Sequence, residues 1–333
     1  MNKRINKVKA LVTGGAGFIG SYLGEELLVR GFSVTVIDDL STGSKSNIAH
    51  LLNNKSFKFH KGTILNKKLM EKLIKSSDIV YHLAAAVGVQ FILDHPVGSI
   101  LTNIEGTEIV LKLADQYRKK VLVTSTSEVY GKHVCAPFKE EDDRILGSTS
   151  ISRWSYSDAK AMDELLALAY AKEKKLRTVI IRLFNTVGPR QVGRYGMVLP
   201  RLIQQALDNK PLTVYGDGNQ SRAFAYVKDV VCAIVDISLS KKAEGEIFNI
   251  GNDQPITIKD LASKIKQKTN SKSIVKFISY KKAYGKQSID FEDMQCRVPD
   301  LSKIKKMIGY RPRYGIDAII DNTVEYFLKK KKS

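Results

Sequence analysis

Tyr156 and Lys160 are the two residues whose types and spacing most directly suggest chemistry. They stand four positions apart in the run Trp154–Lys160, and residues i and i+4 lie on the same face of a helix. An ammonium group beside a phenol stabilises the phenolate and lowers the pKa of the tyrosine, which suits Tyr156 to act as a base at neutral pH. The pair carries little weight alone, because the chain has 14 Tyr and many Lys. It gains weight from a glycine-rich segment near the N-terminus and from a hydroxyl cluster about thirty residues upstream, at 124–127.

The glycine-rich segment is Gly14–Gly20, with the sequence GGAGFIG. It follows a short apolar run that reads as a buried strand and precedes a stretch with helical periodicity, 21–30. In that context Gly14 permits a tight turn, Gly17 lets the backbone approach a pyrophosphate, and Gly20 allows close packing of helix on strand. The helix N-terminus then faces the anion. The alternative is a purely structural turn, and the spacing is G-x-x-G-x-x-G rather than the common G-x-G-x-x-G.

A second predicted strand, 33–37, ends in Asp38 and Asp39. A carboxylate about 20 residues after the glycine loop binds the adenosine ribose and repels a 2′-phosphate. The next four residues, 40–43, contain no Arg, so NAD is favoured over NADP. For Asp39 a turn cap is an equal alternative. Together with Tyr156 and Lys160, these features predict oxidation of an alcohol with a nicotinamide cofactor.

Further motifs make the chain resemble the extended short-chain dehydrogenase/reductases that act on nucleotide-diphosphate sugars, over nearly its whole length. Besides GGAGFIG, Asp38 and the Tyr156/Lys160 pair, the motifs are HLAA at 82–85, TNIEGT at 102–107, STSEVYG at 125–131, RLFNTVGPR at 182–190, LTVYG at 212–216, SRAF at 221–224 and RVPD at 297–300. One departure is visible: the third strand of the family ends in Gly-Asp-Ile/Val, and here Thr63 replaces the Asp that meets the adenine amine.

The resemblance implies NAD as the cofactor, a UDP-sugar as the substrate and no metal. The implied cofactor-binding residues are Gly14, Gly17, Phe18, Ile19, Gly20, Asp38, Asp39, Leu40, Thr42, Gly43, Thr63, Ile64, Leu83, Ala84, Ala85, Val87, Asn103, Thr124, Tyr156, Lys160, Phe184 and Val187. The implied catalytic residues are Tyr156, Lys160, Thr126, Ser127 and Glu128. The implied substrate-binding residues are Thr126, Asn185, Arg194, Val198, Tyr215, Arg222 and Arg297, with Arg222 and Arg297 clamping the diphosphate and Tyr215 stacking on the base.

Three reactions of the family begin with oxidation at C4 of the sugar: epimerisation, decarboxylation of a uronate, and 4,6-dehydration. Dehydratases carry Asp-Glu where this chain has Ser127 and Glu128, which argues against dehydration. UDP-glucuronate decarboxylases carry Thr-Ser-Glu, matching 126–128, whereas the loop 84–90 resembles that of the epimerases. Simple 4-epimerases tend to have a small or hydroxyl residue at the position of Glu128, for which a buried structural carboxylate is a further alternative. A C4 epimerase of UDP-hexose or UDP-hexuronate is therefore the first hypothesis, and a UDP-glucuronate decarboxylase is the second.

The order of strand and helix patterns predicts an α/β fold, a doubly wound parallel Rossmann-like sheet with a smaller mixed α/β domain. Strands are expected at 8–13, 33–37, 56–60, 78–83, 120–125 and 177–183, with helices near 20–30, 66–75, 97–118 and 154–173. The NAD-binding domain is expected to comprise 1–185 and about 225–250. The nucleotide-sugar-binding domain then comprises 186–224 and 251–333.

The composition of the chain bears on which other classes of protein it could belong to. A chain of 333 residues with 43% hydrophobic content is long enough for a substantial core. No apolar run approaches the roughly 18 residues of a membrane helix, and three scattered Cys fit a reducing cytoplasm. The net charge of +20 comes mostly from dispersed Lys, which indicates a solvated surface and steering of an anionic substrate rather than nucleic-acid binding. A non-catalytic NAD-binding regulator would lack the Tyr156/Lys160 pair. A homodimer through the helices near 97–118 and 154–173 is expected from the resemblance.

Overall fold

The first half of the chain alternates strands and helices, as the sequence predicts. The computed structural model describes residues 7–86, 94–133, 137–193, 197–284 and 294–332. In the first half the elements are β1 Lys9–Thr13, α1 Phe18–Val29, β2 Ser33–Asp38, β3 Phe57–Lys61, α2 Lys67–Lys75, β4 Ile79–His82, α3 Pro96–Gln116, β5 Lys120–Thr126, α4 Trp154–Lys174 and β6 Thr178–Leu183. The six strands and four helices predicted up to residue 183 are therefore confirmed, with bounds that differ by one or two residues.

The large sheet is parallel throughout the described residues, in the order β11-β6-β5-β4-β1-β2-β3, where β11 is Glu246–Ile250. The order 3-2-1-4-5-6 is that of a doubly wound Rossmann fold, and the direction of winding reverses between β1 and β4. Ligands of such sheets bind outside the carboxyl ends of the strands at this reversal. The predicted fold class is thus confirmed.

Side chains alternate between the two faces of the sheet and build a core on each. Ala10 and Val12 of β1 belong to one hydrophobic cluster, whereas Leu11 between them belongs to another. This period of two, with apolar residues on both faces, is what a parallel strand covered by helices on both sides requires.

The second half of the chain contains shorter elements. The strands are β7 Thr186–Val187, β8 Leu212–Tyr215, β9 Ser221–Ala223, β10 Ala225–Tyr226, β12 Pro255–Thr257, β13 Val275–Ile278 and β14 Cys296–Arg297. The helices are α5 Val198–Leu207, α6 Val227–Leu239, α7 Ile258–Lys268, α8 Tyr280–Tyr284, α9 Ser302–Ile308 and α10 Ile316–Lys332. Small sheets form between β12, β9 and β14, between β13 and β8, and between β10 and β7. The strand β11 returns to the large sheet, while the proposed division into two domains stays a prediction.

Candidate active site

A cavity of about 750 Å³ opens at the carboxyl ends of the central strands and extends to the smaller sheets. The glycine loop between β1 and α1 forms one end of it. Gly14 has a φ of +69°, and a Cβ atom on Gly20 would clash with the carbonyl oxygen of Gly14. A side chain at Gly20 would therefore push helix α1 away from the loop, so the first turn of α1 reaches the cavity only with glycine at this position.

Asp38, at the end of β2, is fixed beside the glycine loop. It is buried, which raises the pKa of its carboxyl group, while hydrogen bonds from backbone N–H groups oppose that effect. Asp39 behaves differently: its Oδ1 accepts hydrogen bonds from the backbone and hydroxyl of Ser41. The turn-cap alternative for Asp39 is thus present in the structure, although Asp39 also lines the cavity.

Most of the residues predicted to bind cofactor or substrate line this one cavity. Those of the predicted cofactor set that do so are Gly14, Gly17, Phe18, Ile19, Gly20, Asp38, Asp39, Thr42, Thr63, Ile64, Leu83, Ala84, Ala85, Thr124, Tyr156, Lys160 and Val187. Thr126, Ser127, Glu128, Asn185, Val198, Tyr215, Arg222 and Arg297 also line it. Val87 and Arg194 lie outside the described residues. The roles assigned to these side chains stay predictions.

Four predicted cofactor residues do not line the cavity. Leu40 and Gly43 instead support Asp38: the Leu40 N–H donates to Asp38 Oδ1 at 2.8 Å, and a Cβ on Gly43 would lie 2.8 Å from that same oxygen. The side chain of Asn103 is buried and binds the backbone of Ala86, accepting from its N–H at 2.8 Å. Phe184 is fully buried in an apolar cluster. A direct contact of these four residues with the cofactor stays a prediction.

Helix α4 places Tyr156 and Lys160 at the cavity, as their spacing predicts. The lowering of the Tyr156 pKa by Lys160 stays a prediction. The Lys160 ammonium donates to Asp163 Oδ2 at 2.7 Å. Burial raises the pKa of Tyr156 well above its usual range, and the negative charges of Glu128 and Asp163 raise it further. Burial and these two negative charges all disfavour the phenolate.

Glu128 lies at the same end of the cavity, in the short 3₁₀ turn Ser127–Tyr130 that follows β5. Its Oε1 is 3.4 Å from Nη2 of Arg153 and 3.2 Å from Nη2 of Arg297. Burial raises the pKa of Glu128, but the two guanidinium groups outweigh burial and lower it overall. Glu128 is thus an ionised carboxylate inside the cavity, beside the phenol of Tyr156.

Of the two residues predicted to clamp the diphosphate, Arg297 contacts Glu128 at the catalytic end of the cavity. Arg222 is buried on β9, and its charge also acts on Glu128. Asn185 donates to the carbonyl oxygen of Ala223 at 3.2 Å. The ring of Tyr215 is covered on one face by the guanidinium of Arg201, 4.4 Å from the ring centroid. Tyr215 can therefore offer only its other face to a base.

Arg153 is the functional candidate that the sequence analysis missed. It immediately precedes α4, is 5% exposed and lines the cavity. Arg153 stands three residues before Tyr156, and residues with this spacing lie on the same face of a helix. The sequence alone therefore could have indicated that Arg153 is close to Tyr156. Its partner Glu128 is 25 residues away, and this pairing follows only from the fold.

Comparison with known proteins agrees with this geometry. Residues 11–323 match the family described as GDP-mannose 4,6 dehydratase. The chain is 40% identical over 322 residues to the UDP-N-acetyl-alpha-D-glucosaminuronate decarboxylase of Bacillus cytotoxicus, covering 96% of this chain and 98% of that protein. The chain belongs to the NAD-dependent nucleotide-sugar epimerase/dehydratase family. It is therefore an enzyme that modifies nucleotide sugars.

Two more relatives of this nucleotide-sugar enzyme bear on its reaction. UDP-glucuronic acid decarboxylase 1 of Xenopus tropicalis is 34% identical over 325 residues, which cover 98% of this chain and 73% of that protein. The solved structure of UDP-glucuronic acid 4-epimerase from Bacillus cereus, in complex with UDP-glucuronic acid and NAD, aligns with a TM-score of 0.87 at 31% identity and covers 97% of this chain and all of that one.

The residues present in this enzyme fit NAD, the cofactor of its family. The close approach of Gly14 and Gly20 lets the N-terminus of α1 face a pyrophosphate, and the carboxyl group of Asp38 at the end of β2 suits ribose hydroxyls. Within the described ranges, no group of three His, Cys, Asp or Glu side chains is arranged to hold a metal ion. The same ranges contain no helix that is both long and apolar enough to span a membrane.

Proposed function

We propose that the enzyme is an NAD-dependent UDP-uronate decarboxylase, acting on UDP-glucuronate or on its 2-acetamido counterpart. The observation that carries this proposal is the ionised Glu128 between Arg153 and Arg297 at the catalytic end of the cavity. A uronate carries a carboxylate on C5, next to the carbon that is oxidised. A guanidinium group has five N–H donors, so Arg153 and Arg297 suit a substrate carboxylate as well as Glu128.

The first step of the proposed reaction is oxidation at C4. Tyr156 takes the proton of the C4 hydroxyl, Thr126 positions the C4 oxygen, and Lys160 stabilises the phenolate that accepts the proton. NAD, when bound, would accept a hydride from C4 and later return it, and the sugar is a 4-keto sugar between these two transfers.

The 4-keto uronate is a β-keto acid and loses CO₂ readily. The C5–C6 bond breaks, its electron pair passes to C5 and the C4 oxygen, and C5 then takes up one proton that comes from water. Glu128, as a carboxylate near Tyr156, orients this water by accepting a hydrogen bond from it. The water donates its proton to C5, and the hydroxide left behind takes up a proton from bulk solvent. When C4 is reduced again, Tyr156 returns its proton to the C4 oxygen, and the product is a UDP-pentose.

Two lines of sequence support favour decarboxylation over the C4 epimerisation that the sequence analysis placed first. The relative that is 40% identical over nearly the full length is a decarboxylase by name, as is the one that is 34% identical. The named epimerase is a structural neighbour at 31% identity, and the fold itself does not separate the two reactions. Ser127 continues to argue against dehydration.

The test is incubation of the purified enzyme with UDP-glucuronate, UDP-N-acetylglucosaminuronate and UDP-glucose, each with NAD. Trapped CO₂ and proton NMR of the sugar identify the products. We expect CO₂ and a UDP-pentose, or its 2-acetamido form, from at least one uronate, and no conversion of UDP-glucose. A C4-inverted uronate without CO₂ would restore the epimerase hypothesis.

A further inference from the structure

Asp163 forms a buried ion pair with the lysine of the catalytic pair. The Asp163 side chain is fully buried and that of Lys160 is 2% exposed, and Lys160 Nζ lies 2.7 Å from Asp163 Oδ2. The two residues are three positions apart on α4, a spacing that keeps them on one face of the helix. Lys160 faces the cavity, whereas Asp163 is not among the cavity-lining residues and lies behind it.

The other titratable groups near this ion pair do not compete with Asp163 for Lys160. The neighbouring Glu164 is already bound by Arg182, through Nε at 2.9 Å and Nη2 at 2.8 Å. His82, at the end of β4, is the other titratable group that Lys160 acts on; burial and the charge of Lys160 lower its pKa to about 3, so it is neutral. Asp163 is thus the carboxylate that pairs with Lys160. Burial raises the pKa of Asp163, whereas the charge of Lys160 and a hydrogen bond with Thr107 act in the opposite direction.

The charged groups that act on Tyr156 come from two elements. Glu128 contributes from the 3₁₀ turn after β5, and Asp163 contributes from α4. Both negative charges disfavour the phenolate. Lys160 and Tyr156 are one turn apart on α4 and line the same cavity, so removal of Asp163 would leave an uncompensated ammonium on the helix face of Tyr156, which favours the phenolate. Glu128 is balanced by two arginines, so Asp163 is the carboxylate that works directly against Lys160.

We propose that Asp163 is a positioning residue that holds Lys160 and thereby sets the pH range in which Tyr156 acts as a base. The inference rests on the proposed role of Tyr156 in C4 oxidation, a step that decarboxylation and epimerisation share. It therefore holds or fails independently of which product the enzyme forms.

The experiment compares Asp163→Asn with the wild-type enzyme and with Asp158→Asn. Asp158 is an acidic residue of the same helix whose side chain is 53% exposed, which makes it a matched control. We expect the acid limb of the kcat/KM profile to move to lower pH in Asp163→Asn and to stay in place in Asp158→Asn. The same variants are titrated without substrate by tyrosinate absorbance, with Tyr156→Phe counterparts isolating the signal of Tyr156. In Asp163→Asn this signal is expected at lower pH.

Asp163→Ser is the second variant, since serine is smaller than aspartate and can contact Lys160 without a charge. In Asp163→Ser the acid limb of the kcat/KM profile and the tyrosinate titration should both move to lower pH, as in Asp163→Asn. If either variant folds, by its circular dichroism and thermal unfolding, and both its rate profile and its tyrosinate titration match the wild type, the proposal is wrong. Failure of both variants to fold would also overturn it, in favour of a structural role. The identity of the product, measured separately, tests the proposed function.

Discussion

Asp38 Oδ2 accepts a hydrogen bond of 2.9 Å from the backbone N–H of Ala16 and so joins the end of strand β2 to the glycine loop. One carboxylate therefore has two tasks. It fixes the loop that is shaped for a pyrophosphate, and it places negative charge where the adenosine ribose of NAD would lie.

The first prediction concerns this carboxylate and the choice of cofactor. Wild-type enzyme should bind NAD more tightly than NADP, because Asp38 repels a 2′-phosphate. Asp38→Ala should weaken the binding of NAD and reduce the ratio of the affinities for NAD and NADP. Calorimetry with each cofactor measures both affinities. Asp39→Ala is the comparison, and it should change the preference less, since Ser41 binds that carboxylate. Equal affinities of the wild type for the two cofactors would contradict the assignment.

A second prediction concerns the diphosphate. Arg222 is a buried guanidinium on β9 that lines the cavity. Loss of a hydrogen bond to a charged group costs about 1.5–3 kcal/mol, so Arg222→Ala should weaken the binding of UDP itself by roughly 10- to 150-fold at 25 °C. Arg311→Ala removes an exposed arginine outside the cavity and should leave UDP affinity unchanged. If both variants bind UDP like the wild type, Arg222 does not clamp the diphosphate.

The third prediction concerns assembly. Apolar side chains are exposed on α3 and α4, among them Leu101, which is 48% exposed, and Leu165, which is 57% exposed. We expect these helices to pair in a homodimer, and Leu165→Lys should shift the enzyme toward monomer in sedimentation equilibrium. Leu239→Lys changes a leucine of α6 that is 54% exposed and should leave the mass unaltered. A monomeric wild type would disprove the prediction.

The fourth prediction links a buried histidine to stability. His82 is buried between the hydroxyl groups of Thr13 and Thr107, and burial lowers its pKa from 6.5 to about 3. The unfolded chain therefore binds a proton below pH 6.5 that the folded protein does not bind. Stability should fall with decreasing pH across this window, by about 1.5–2 kcal/mol between pH 6.5 and roughly pH 5 from this group alone.

Urea unfolding at several pH values checks this effect. His82→Asn removes the titrating group while keeping an amide that can bond to the two threonines, so the variant should lose stability less steeply toward acid. His60→Asn alters a part-exposed histidine of β3 and should keep the wild-type slope. Equal slopes for wild type and His82→Asn would show that His82 is not the source of the pH dependence.

The sequence predicts the sheet well because its signals are local. Apolar runs, the glycine turn and helical periodicity each depend on neighbouring residues, and the strands and helices up to residue 183 follow from them. The pairing of Glu128 with Arg297 joins residues 169 positions apart, and no local pattern encodes it. The side chain of Phe184 is likewise not predictable from its neighbours: it stands beside the cavity-lining residues Leu183 and Asn185, but its ring packs on Tyr130 and Phe138.

The ion pair of Lys160 with Asp163 lies between these cases. Its spacing is visible in the sequence, yet Asp158, Asp163 and Glu164 are all near Lys160 along the chain. Which of them contacts the lysine depends on Arg182 binding Glu164 and Arg144 binding Asp158. The spacing of Tyr156 and Lys160 is visible in the sequence, but the ion pair of Lys160 with Asp163 follows from the fold.

The last prediction separates decarboxylation from epimerisation through Tyr156 and Glu128. Both reactions begin with oxidation at C4, so Tyr156→Phe should abolish either one while NAD binding persists in calorimetry.

Epimerisation returns the hydride to C4 without chemistry at C5, and Glu128→Gln should then cost little activity. Decarboxylation has to protonate C5, and loss of an acid/base group typically costs 10²–10⁴-fold in rate. With the uronate that is converted, we expect a loss of this size in Glu128→Gln, measured as CO₂ release, and none in Glu141→Gln, which alters an exposed carboxylate outside the cavity. Near-normal CO₂ release from Glu128→Gln would show that Glu128 takes no part in the protonation of C5. The carboxylate between Arg153 and Arg297 would then serve only to balance the charge of these two arginines.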